Sequence, residues 1–520
     1  MRIDKLTIGN FKNLRDFSID FDEKSLTTVL VGQNGTGKSN LLEALVLIFR
    51  DLDLGAPPPF CYQIVYLCRG HKIEIDADPT RPKASISIKV NGANLPYSRF
   101  VKAPERPYLP NYVFGYYSGP SNRLESHFEK HQKKFSDALL AGNDRALRPM
   151  FYARPVHSQF VLLAFFTKDV HETAAFLKEH LGIEGFESVL FVMKEPPWSG
   201  SSKEGDPRFW HARGVVRQFL GRLYKLALAP MRIPLRVTTG LGKTTTLEHL
   251  FLFIPDAQRL RGLASAYPSQ QDFFKTLEST YISDLVKEVR IRVRVRHMDG
   301  TLTFRELSEG EQQLLTVLGL LRFTKEQESL FLLDEPDTHL NPAWSQEYLD
   351  LLNKVVGWQE TSHIILATHD PLVVAGLQKS QVKIMQRDAE TGRISARIPD
   401  EDPKGMGVSA ILTSELFGLR SALDLETLGM LDEKRRLAIK EDLTAQERER
   451  LRELNEKLES IDFTQAVRDP LYGKFVEAMT RLERREQPQK PVVTPGEIER
   501  QRELALEVVQ SLQEERQEGA

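Results

Sequence analysis

The stretch Gly32-Gln33-Asn34-Gly35-Thr36-Gly37-Lys38-Ser39 joins two apolar segments of the chain. Residues 26–31 before it are short enough for a buried strand, and residues 41–49 after it predict a helix packed against a sheet. Such a loop between a strand and a helix is typical of phosphate-binding loops, because its glycines let backbone N–H groups curl around phosphates. Lys38 is then expected to reach the β- and γ-phosphates of a nucleotide, and the Ser39 hydroxyl to bind Mg²⁺.

A second apolar run, residues 330–333, ends in Asp334 and Glu335. With a phosphate-binding loop upstream, this pattern indicates a buried strand whose terminal residue, Asp334, helps to hold Mg²⁺. Glu335 is then placed to orient or deprotonate an attacking water molecule. An acid pair at a strand end also occurs at ordinary solvated loops, so the interpretation depends on both motifs together.

Two further motifs lie in the same half of the chain. Ser308 and Glu311 form a capping-box pattern, which predicts a helix from there to about Leu321. A second interpretation of this segment is a phosphate-binding helix N-terminus, since Gly310 permits a close approach. The other motif is His369, which follows a predicted buried strand at residues 364–366 and is therefore a candidate site residue, although a lone histidine is more often structural.

These four motifs together resemble those of the ATP-binding-cassette (ABC) class of P-loop ATPases, in particular its RecF, SMC, Rad50 and OLD-like branch. The resemblance covers about residues 1–50 and 300–375, including residues 6–12, which look like the first strand of that branch. It implies an α/β fold, an ABC-type ATPase head of two lobes with a mixed sheet around the phosphate loop. It also implies that two chains pair head to tail, with two ATP molecules and their Mg²⁺ ions sandwiched between them.

The resemblance also implies roles for single residues. In the family, the segment that matches residues 308–313 is the signature motif, which binds the γ-phosphate of the opposite subunit, so Ser308, Glu309 and Gly310 are expected to contact ATP in trans. Glu335 matches the catalytic acid and His369 the switch histidine, and Lys38 completes the catalytic set.

Other positions are carried over from the same family. Residues 337–340 match the D-loop, which crosses the dimer interface. A match for the Q-loop glutamine is not found, and residues 114–119 are the candidate segment for that role. The remaining positions assigned to nucleotide binding are Lys12, Asn13, Asn40 and Asp337.

Composition excludes several other classes of protein. The 520 residues include 70 Lys plus Arg and 72 Asp plus Glu, so the net charge of -2 excludes a globally basic nucleic-acid binder but not a local basic patch. Two cysteines exclude a disulfide framework and a four-cysteine zinc site. The N-terminus has no signal-peptide pattern, and the longest apolar runs, such as residues 160–166, are far shorter than the ~20 residues of a membrane span. We therefore expect a cytoplasmic protein without membrane contact.

The pattern of strands and helices divides the chain into four regions. Strand signals are dense up to about residue 118, return after 285 and vanish beyond 405, where Thr444 and Glu447 form another capping-box pattern. The regions are an ATPase lobe with the phosphate loop (1–120), a mainly helical insertion (121–285), an ATPase lobe with the signature, Asp334 and His369 (286–404), and a helical C-terminal region (405–520).

The motifs predict ATP binding and hydrolysis but not the output of the chain. We expect no nuclease site in it, because neither clustered acids at strand ends nor paired histidines follow the ATPase motifs. In architecture the chain looks similar to the ATPase subunits of Septu-type anti-phage defence systems, including retron-associated versions. That similarity implies a separate nuclease or toxin effector as a partner, for which the helices of residues 405–520 are the candidate docking surface.

The alternative function is a RecF-like DNA-binding repair ATPase that has no partner nuclease. It is motivated by four arginines that alternate with apolar residues and would follow DNA phosphates. Such a stripe is more often the solvated face of an edge strand. The arginines are Arg290, Arg292, Arg294 and Arg296.

One further stretch imitates the end of a phosphate loop. Residues 240–244 read Gly-Leu-Gly-Lys-Thr, but the position of the required first glycine is Val237. We interpret this stretch as a hairpin turn.

Overall fold

The computed structural model describes residues 1–460, except 23, 83, 143–148, 169–170, 200–203, 240–242, 297–300, 325–327, 357–360 and 441, together with residues 502, 503 and 505. The chain forms two compact units, Met1–Ile398 and Pro399–Ala520. The strands described in the first unit form three sheets.

The largest sheet carries the phosphate loop. Its strands are β3 (Thr27–Val31), β8 (Val113–Tyr117), β9 (Met150–Tyr152), β15 (Leu330–Asp334), β16 (His363–Ala367), β17 (Val382–Arg387) and β18 (Ile394–Arg397). They lie in the order β18-β17-β3-β16-β15-β8-β9, and all pairs are parallel except β17 with β18. Every residue of β3, β15 and β16 is buried, which explains why their sequences are largely apolar instead of alternating. The predicted mixed sheet around the phosphate loop is confirmed.

A second sheet is antiparallel and has six strands. These are β1 (Arg2–Phe11), β2 (Leu14–Asp20), β4 (Tyr62–Cys68), β5 (His71–Ala77), β6 (Ile86–Val90) and β7 (Ala93–Asn94), in the order β2-β1-β4-β5-β6-β7. Asn91 and Gly92 join β6 to β7 with positive φ angles of 50° and 83°, as a tight hairpin turn requires.

Helix α1 (Lys38–Leu54) joins the two sheets into one core. Residues 41–49 of this helix are all buried, and the hydrophobic cluster around them includes Leu6 of β1 and Leu332 of β15. Because α1 is covered on more than one face, its sequence is apolar almost throughout, and the predicted helix is confirmed. The other α-helices described in the first unit outside its central region are α2 (Tyr97–Lys102), α9 (Glu309–Thr324), α10 (Pro342–Val356) and α11 (Pro371–Val374).

The central region contains both helices and a third sheet. The helices are α3 (Glu129–Leu140), α4 (Val156–Phe165), α5 (His171–Leu181), α6 (Gly214–Leu226), α7 (Ala257–Ala264) and α8 (Gln270–Ile282). The strands are β10 (Ile183–Lys194), β11 (Leu228–Thr239), β12 (Lys243–Ile254), β13 (Val286–Val295) and β14 (Thr301–Thr303), all antiparallel in the order β11-β12-β10-β13-β14. The interpretation of residues 121–285 as mainly helical therefore missed three long strands. The predicted hairpin turn falls between β11 and β12, where residues 240–242 lie outside the described residues.

The apolar run at residues 160–166 belongs largely to α4. The side chains of residues 160–165 are buried in the protein core. A helix of 10 residues is about 15 Å long, half of the roughly 30 Å of a bilayer core. Within the described ranges, no helix combines the length and the apolar character that crossing a membrane requires.

The second unit is helical over its described part. Its helices are α12 (Val408–Thr413), α13 (Leu425–Ala438) and α14 (Ala445–Ser460). The predicted capping box opens α14, since the Thr444 hydroxyl accepts from the Glu447 N–H at 3.3 Å and donates to its carboxylate at 3.0 Å. Beyond Ser460 only three residues are described, so the helical structure expected there stays a prediction.

Candidate active site

The predicted site residues meet at one edge of the largest sheet. In parallel strands the carboxyl ends lie at the same edge, and here three neighbouring strands, β3, β16 and β15, end side by side. The phosphate loop follows β3, His369 follows β16, and Asp334 and Glu335 lie at the end of β15. Segments that are about 300 residues apart in sequence are brought together in this way.

The phosphate loop is held in shape by close backbone packing. A side chain at Gly32 is excluded, because its Cβ would lie 2.1 Å from the Met385 carbonyl oxygen. Thr36 donates a 2.8 Å hydrogen bond from its hydroxyl to the Gln33 carbonyl. At the tip, the carbonyl of Gly35 accepts hydrogen bonds from Asn13 at 2.9 Å and from Arg387 at 3.0 Å.

Two of the predicted nucleotide-binding residues brace this loop from the side. Asn40 donates to the side-chain oxygen of Asn13 at 2.6 Å, and Asn13 in turn binds Gly35. Gln33, Asn34 and Gly35 remain exposed at the mouth of the loop. A bound phosphate would therefore meet a loop whose shape is fixed before binding.

Lys38 is buried beneath the loop. Its ammonium group donates to the carbonyls of Gly32 at 2.6 Å and Gln33 at 3.3 Å. Burial lowers the pKa of Lys38 to about 8, although the nearby Glu335 and Asp334 oppose the shift. Lys38 is therefore mostly protonated at pH 7 and supplies a positive charge inside the loop.

Ser39 and Asp334 form a pair of oxygen donors next to the loop. The Ser39 hydroxyl donates a 3.1 Å hydrogen bond to Asp334. Asp334 is buried, and this burial raises its pKa to about 6 against the opposing effects of Ser39 and Arg123. Mg²⁺ prefers oxygen ligands and usually combines one or two carboxylates with phosphate oxygens and water, so this pair fits it. Among the described residues, no group of three or more His, Cys, Asp or Glu side chains is placed to hold a metal ion.

Glu335 and His369 face each other across the ends of β15 and β16. The Nε2 atom of His369 lies 3.3 Å from the Glu335 carboxylate, and both side chains are partly exposed. Burial and the charge of Lys38 lower the pKa of His369, although Glu335 opposes them, so the neutral form of the imidazole is favoured. Glu335 itself has a φ angle of 52°, which is unusual for a residue with a side chain.

The predicted signature segment opens α9. Ser308 and Glu311 form the expected capping box, with the Glu311 N–H donating to the Ser308 hydroxyl at 3.2 Å and the hydroxyl donating to the Glu311 carboxylate at 2.8 Å. Ser308 and Glu309 are exposed, whereas Gly310 is buried. A Cβ on Gly310 would lie 2.4 Å from the His339 carbonyl oxygen, so its close approach is to the chain's own D-loop segment. Phosphate binding in trans stays a prediction.

The chain is similar to a Septu protein and to a probable retron ATPase. It is 23% identical to the Septu protein PtuA of Bacillus mycoides over 82% of this chain and 46% of that protein. It is 27% identical to the retron Vc95 probable ATPase of Vibrio cholerae over 28% of this chain and 30% of that protein. The chain thus spans less than half the length of these relatives. The SMC head domain from Thermotoga maritima is 15% identical, with a TM-score of 0.32 over 76% of this chain and 99% of the domain.

Two protein-family models match the two halves of the site. The model described as "AAA ATPase domain" matches residues 1–95, which contain the phosphate loop. The model described as "AAA domain, putative AbiEii toxin, Type IV TA system" matches residues 248–375, which contain Asp334, Glu335 and His369. These matches support the predicted similarity to P-loop ATPases of the RecF, SMC, Rad50 and OLD-like branch.

Two predicted site residues bind side chains outside the phosphate loop. Asp337 is buried and accepts a 2.5 Å hydrogen bond from Thr368, so its placement favours a supporting role over direct contact with a nucleotide. Lys12 donates to Glu43 of α1 at 2.5 Å. The hydrogen bonds described for these two side chains do not involve the phosphate loop. Their roles in nucleotide binding stay predictions.

The candidate site also includes residues that the sequence interpretation did not assign. Arg123 donates to the side-chain oxygen of Asn40 at 3.0 Å and lies 3.7 Å from the Glu43 carboxylate. Gln313 of α9 is buried beside Glu335. Gln313 lies in the segment that matches the signature motif, and Arg123 lies just beyond the segment proposed for the Q-loop role, but only the tertiary structure shows that their side chains reach the site.

The segment proposed for the Q-loop role lies beside the Asp334 strand, and its role stays a prediction. Residues 113–117 form β8, which pairs with β15 in parallel. The N–H of Ser118 donates to the Asp334 carbonyl at 3.2 Å, and its hydroxyl lies 3.0 Å from that of Thr338. The loop after β8 therefore contacts the Asp334 strand and the D-loop segment of the ATPase.

Proposed function

We propose that this chain binds ATP with Mg²⁺ and hydrolyses it to ADP and phosphate. The observation that carries this proposal is the meeting of the Ser39–Asp334 pair and the Glu335–His369 pair at the mouth of the phosphate loop. One pair supplies metal ligands and the other supplies an acid beside a neutral imidazole. Hydrolysis of a phosphoanhydride requires this combination of positioned charges and a group that orients water.

Each residue would have a defined part in the reaction. The loop N–H groups and Lys38 bind the phosphates, for which Lys38 exchanges its bonds to the Gly32 and Gln33 carbonyls for phosphate oxygens. Ser39 and Asp334 would hold Mg²⁺, which would supply positive charge next to the phosphates. Glu335 orients the water that attacks the γ-phosphorus and accepts its proton, while the bond to the leaving ADP oxygen breaks. His369 keeps the Glu335 carboxylate directed to the site.

A Glu335→Gln variant tests this assignment. It removes the base but keeps the size of the side chain, so we expect ATP binding to remain and phosphate release to fall by about 100-fold or more. Phosphate release is measured in excess Mg²⁺, and nucleotide binding is measured in parallel by fluorescence. Normal turnover in this variant would falsify the role of Glu335.

We also propose that two chains form a dimer when ATP is bound at this site. Such dimers could assemble further into higher oligomers. Ser308 and Glu309 are exposed at the start of α9, as a surface that receives a second chain's nucleotide must be. The helix N-terminus adds positive potential for a phosphate. Light scattering of Glu335→Gln with and without ATP tests this step, and we expect a doubling of mass with ATP. A Ser308→Arg change in the same background should keep the monomer mass, and a dimer that persists in it would contradict the trans role of Ser308.

We further propose that the chain is the ATPase subunit of an anti-phage defence complex that controls a separate nuclease or toxin effector. The similarity to Septu PtuA and to the retron ATPase supports this role, and helices in residues 405–520 are the proposed docking surface. Purification of the tagged chain from its native operon tests the proposal. Stoichiometric recovery of an effector supports it, and recovery of the ATPase without any protein partner contradicts it. Deletion of residues 490–520 should then abolish effector binding and spare ATP binding.

The second candidate function is DNA binding without an effector. One observation favours it, since the four arginines of the sequence stripe are exposed on or next to β13, although Arg290 already binds Glu288 at 2.9 Å. Changing the four arginines to serine should lower DNA affinity and reduce its dependence on salt. Equal DNA binding by the parent and the variant would remove the support for this function.

A further inference from the structure

A buried glutamine connects three segments of the site. Gln313 lies in α9 and is 4% exposed. Its side-chain oxygen accepts a 3.1 Å hydrogen bond from the backbone N–H of His339. Its amide nitrogen makes a long hydrogen bond of 3.5 Å to the backbone carbonyl of Glu335. Tyr116 of β8 lies next to the same side chain.

The backbone of Glu335 is held by neighbouring groups in an uncommon conformation. Its φ angle of 52° lies in the left-handed region, which costs energy for a residue with a side chain. The N–H of Glu335 donates to the Ala367 carbonyl at 2.8 Å, and its carbonyl accepts from the Thr338 hydroxyl at 2.9 Å and from Gln313. Because the backbone angles of a residue set the direction of its side chain, these bonds determine where the carboxylate points.

The start of α9 packs tightly against the D-loop segment. Gly310 packs so closely on the His339 carbonyl that even a methyl group would not fit. Ser308 and Gln313 are five residues apart, which corresponds to a rise of about 7.5 Å along a rigid helix. A displacement of Ser308 is therefore transmitted through the helix to Gln313, and from Gln313 to the peptide groups of Glu335 and His339.

We propose that Gln313 is a positioning residue that couples the signature end of α9 to the catalytic acid. Contact of Ser308 with the nucleotide of a second chain sets the position of α9, and Gln313 converts that position into the active orientation of Glu335. The inference rests on the proposed function, since it presumes that Glu335 orients water and that dimers form. It places the coupling in one chain, through the two hydrogen bonds that the Gln313 side chain makes with Glu335 and His339.

Three variants separate this coupling from a general loss of stability. Gln313→Leu keeps the size of the side chain and removes all its hydrogen bonds. Gln313→Glu keeps the oxygen that accepts from His339 but places an oxygen instead of a donor next to the Glu335 carbonyl. Thr316→Val is the matched control, because Thr316 is also buried on α9 and its hydroxyl donates only within the helix, to the Gln312 carbonyl at 2.7 Å.

The measurements are kcat and KM for ATP, together with the mass of the ATP-bound form. We expect both Gln313 variants to lose about 10- to 100-fold in kcat, because small displacements of a catalytic group have effects of this size. KM for ATP and ATP-dependent dimerisation should stay close to those of the parent, and Thr316→Val should keep its kcat.

The outcomes distinguish failure of the inference from failure of the proposed function. Parent-like kcat in Gln313→Leu, with Glu335→Gln inactive, overturns the coupling alone, and an equal loss of kcat in Thr316→Val also overturns it. Normal turnover in Glu335→Gln overturns the proposed function and the coupling with it. If Gln313→Leu is not folded, as judged by a loss of cooperative unfolding, the kcat of Gln313→Glu decides between these outcomes.

Discussion

The hydroxyl of Ser39 donates a 3.1 Å hydrogen bond to the carboxylate of Asp334, a residue 295 positions later in the chain. Ser39 lies in the loop and helix that follow β3, and Asp334 is the last residue of β15. In the sheet, β16 lies between these two strands. The pair therefore forms only when the three strands are assembled in register. The pair joins residues 1–95 to residues 248–375, the two regions that the family models match.

Asp334→Asn should remove the dependence of ATP binding on Mg²⁺. The amide keeps the size of the side chain and its contact with Ser39 but removes the negative charge that a divalent cation requires. We expect ATP affinity in Mg²⁺ to fall about 10- to 100-fold, the effect of losing a charged partner worth about 1.5–3 kcal/mol. Titration with a fluorescent ATP analogue in Mg²⁺ and in EDTA measures it. A parent-like gain in affinity on adding Mg²⁺ would contradict the assignment.

Lys38→Ala should abolish ATP binding while the fold remains. The change removes the positive charge inside the loop and frees the Gly32 and Gln33 carbonyls, to which Lys38 donates. Binding of ATP by calorimetry and the unfolding midpoint without nucleotide provide the two readouts. Lys275→Ala, a change in α8 of the central region, serves as the control and should bind ATP like the parent. Retained ATP binding in Lys38→Ala would show that the loop amides alone hold the phosphates.

Gly310→Ala should destabilise the protein even without ATP. The added Cβ would lie 2.4 Å from the His339 carbonyl oxygen, so backbone must shift, at a cost of about 1–3 kcal/mol. Gly221→Ala is the matched control, because Gly221 lies in α6 with nothing within 4 Å of the added atom. That control should be stabilising by about 0.5–1 kcal/mol, the usual gain of alanine over glycine in a helix. Urea unfolding compares the two variants, and opposite signs of the stability change are the expected result.

Asp337 should make the free energy of unfolding fall as the pH rises. Burial raises the pKa of Asp337 from 3.8 to about 7, while the hydrogen bond from Thr368 opposes the shift. Between these two pH values the folded chain keeps a proton that the unfolded chain releases, so stability present below pH 4 is lost progressively up to about pH 7.

Asp337→Asn removes this titration and thereby provides the test. Relative to the parent, the variant should gain on the order of 2–3 kcal/mol of stability between pH 5 and pH 8. Unfolding midpoints in EDTA and without nucleotide measure the difference. Parallel pH profiles of parent and variant would show that Asp337 is ionised throughout this range.

The elements around the phosphate loop could be predicted because their signals are local. Every residue is buried in three of these strands, β3, β15 and β16. They therefore appear in the sequence as short apolar runs. The spacing from Gly32 to Ser39 is a requirement of one loop, so it is visible without knowledge of the partner strands. The capping boxes at Ser308 and Thr444 are equally local, and both are confirmed.

Other parts of the molecule depend on contacts that leave no local signal. β11 contains Pro230 and Pro234 and exposes Leu228 and Met231, so it has neither a continuous apolar run nor clean alternation. In the sequence, nothing distinguishes Gln313 from its neighbour Gln312. The role of Gln313 follows from the packing of α9 against residues that are 22 and 26 positions away. Long-range packing of this kind needs the tertiary structure.

The strand order of the largest sheet also determines how the site appears during synthesis. The phosphate loop is complete at Ser39, but both strands that flank β3 in the sheet, β16 and β17, are translated only after residue 362. At about 5–20 residues per second, roughly 15–60 s pass between the synthesis of Ser39 and that of Asp334. Throughout that interval β3 has two unpaired edges on the ribosome, where other chains can pair with them. The nascent protein thus passes through a period of exposure to aggregation that ends only when the last third of the first unit has emerged.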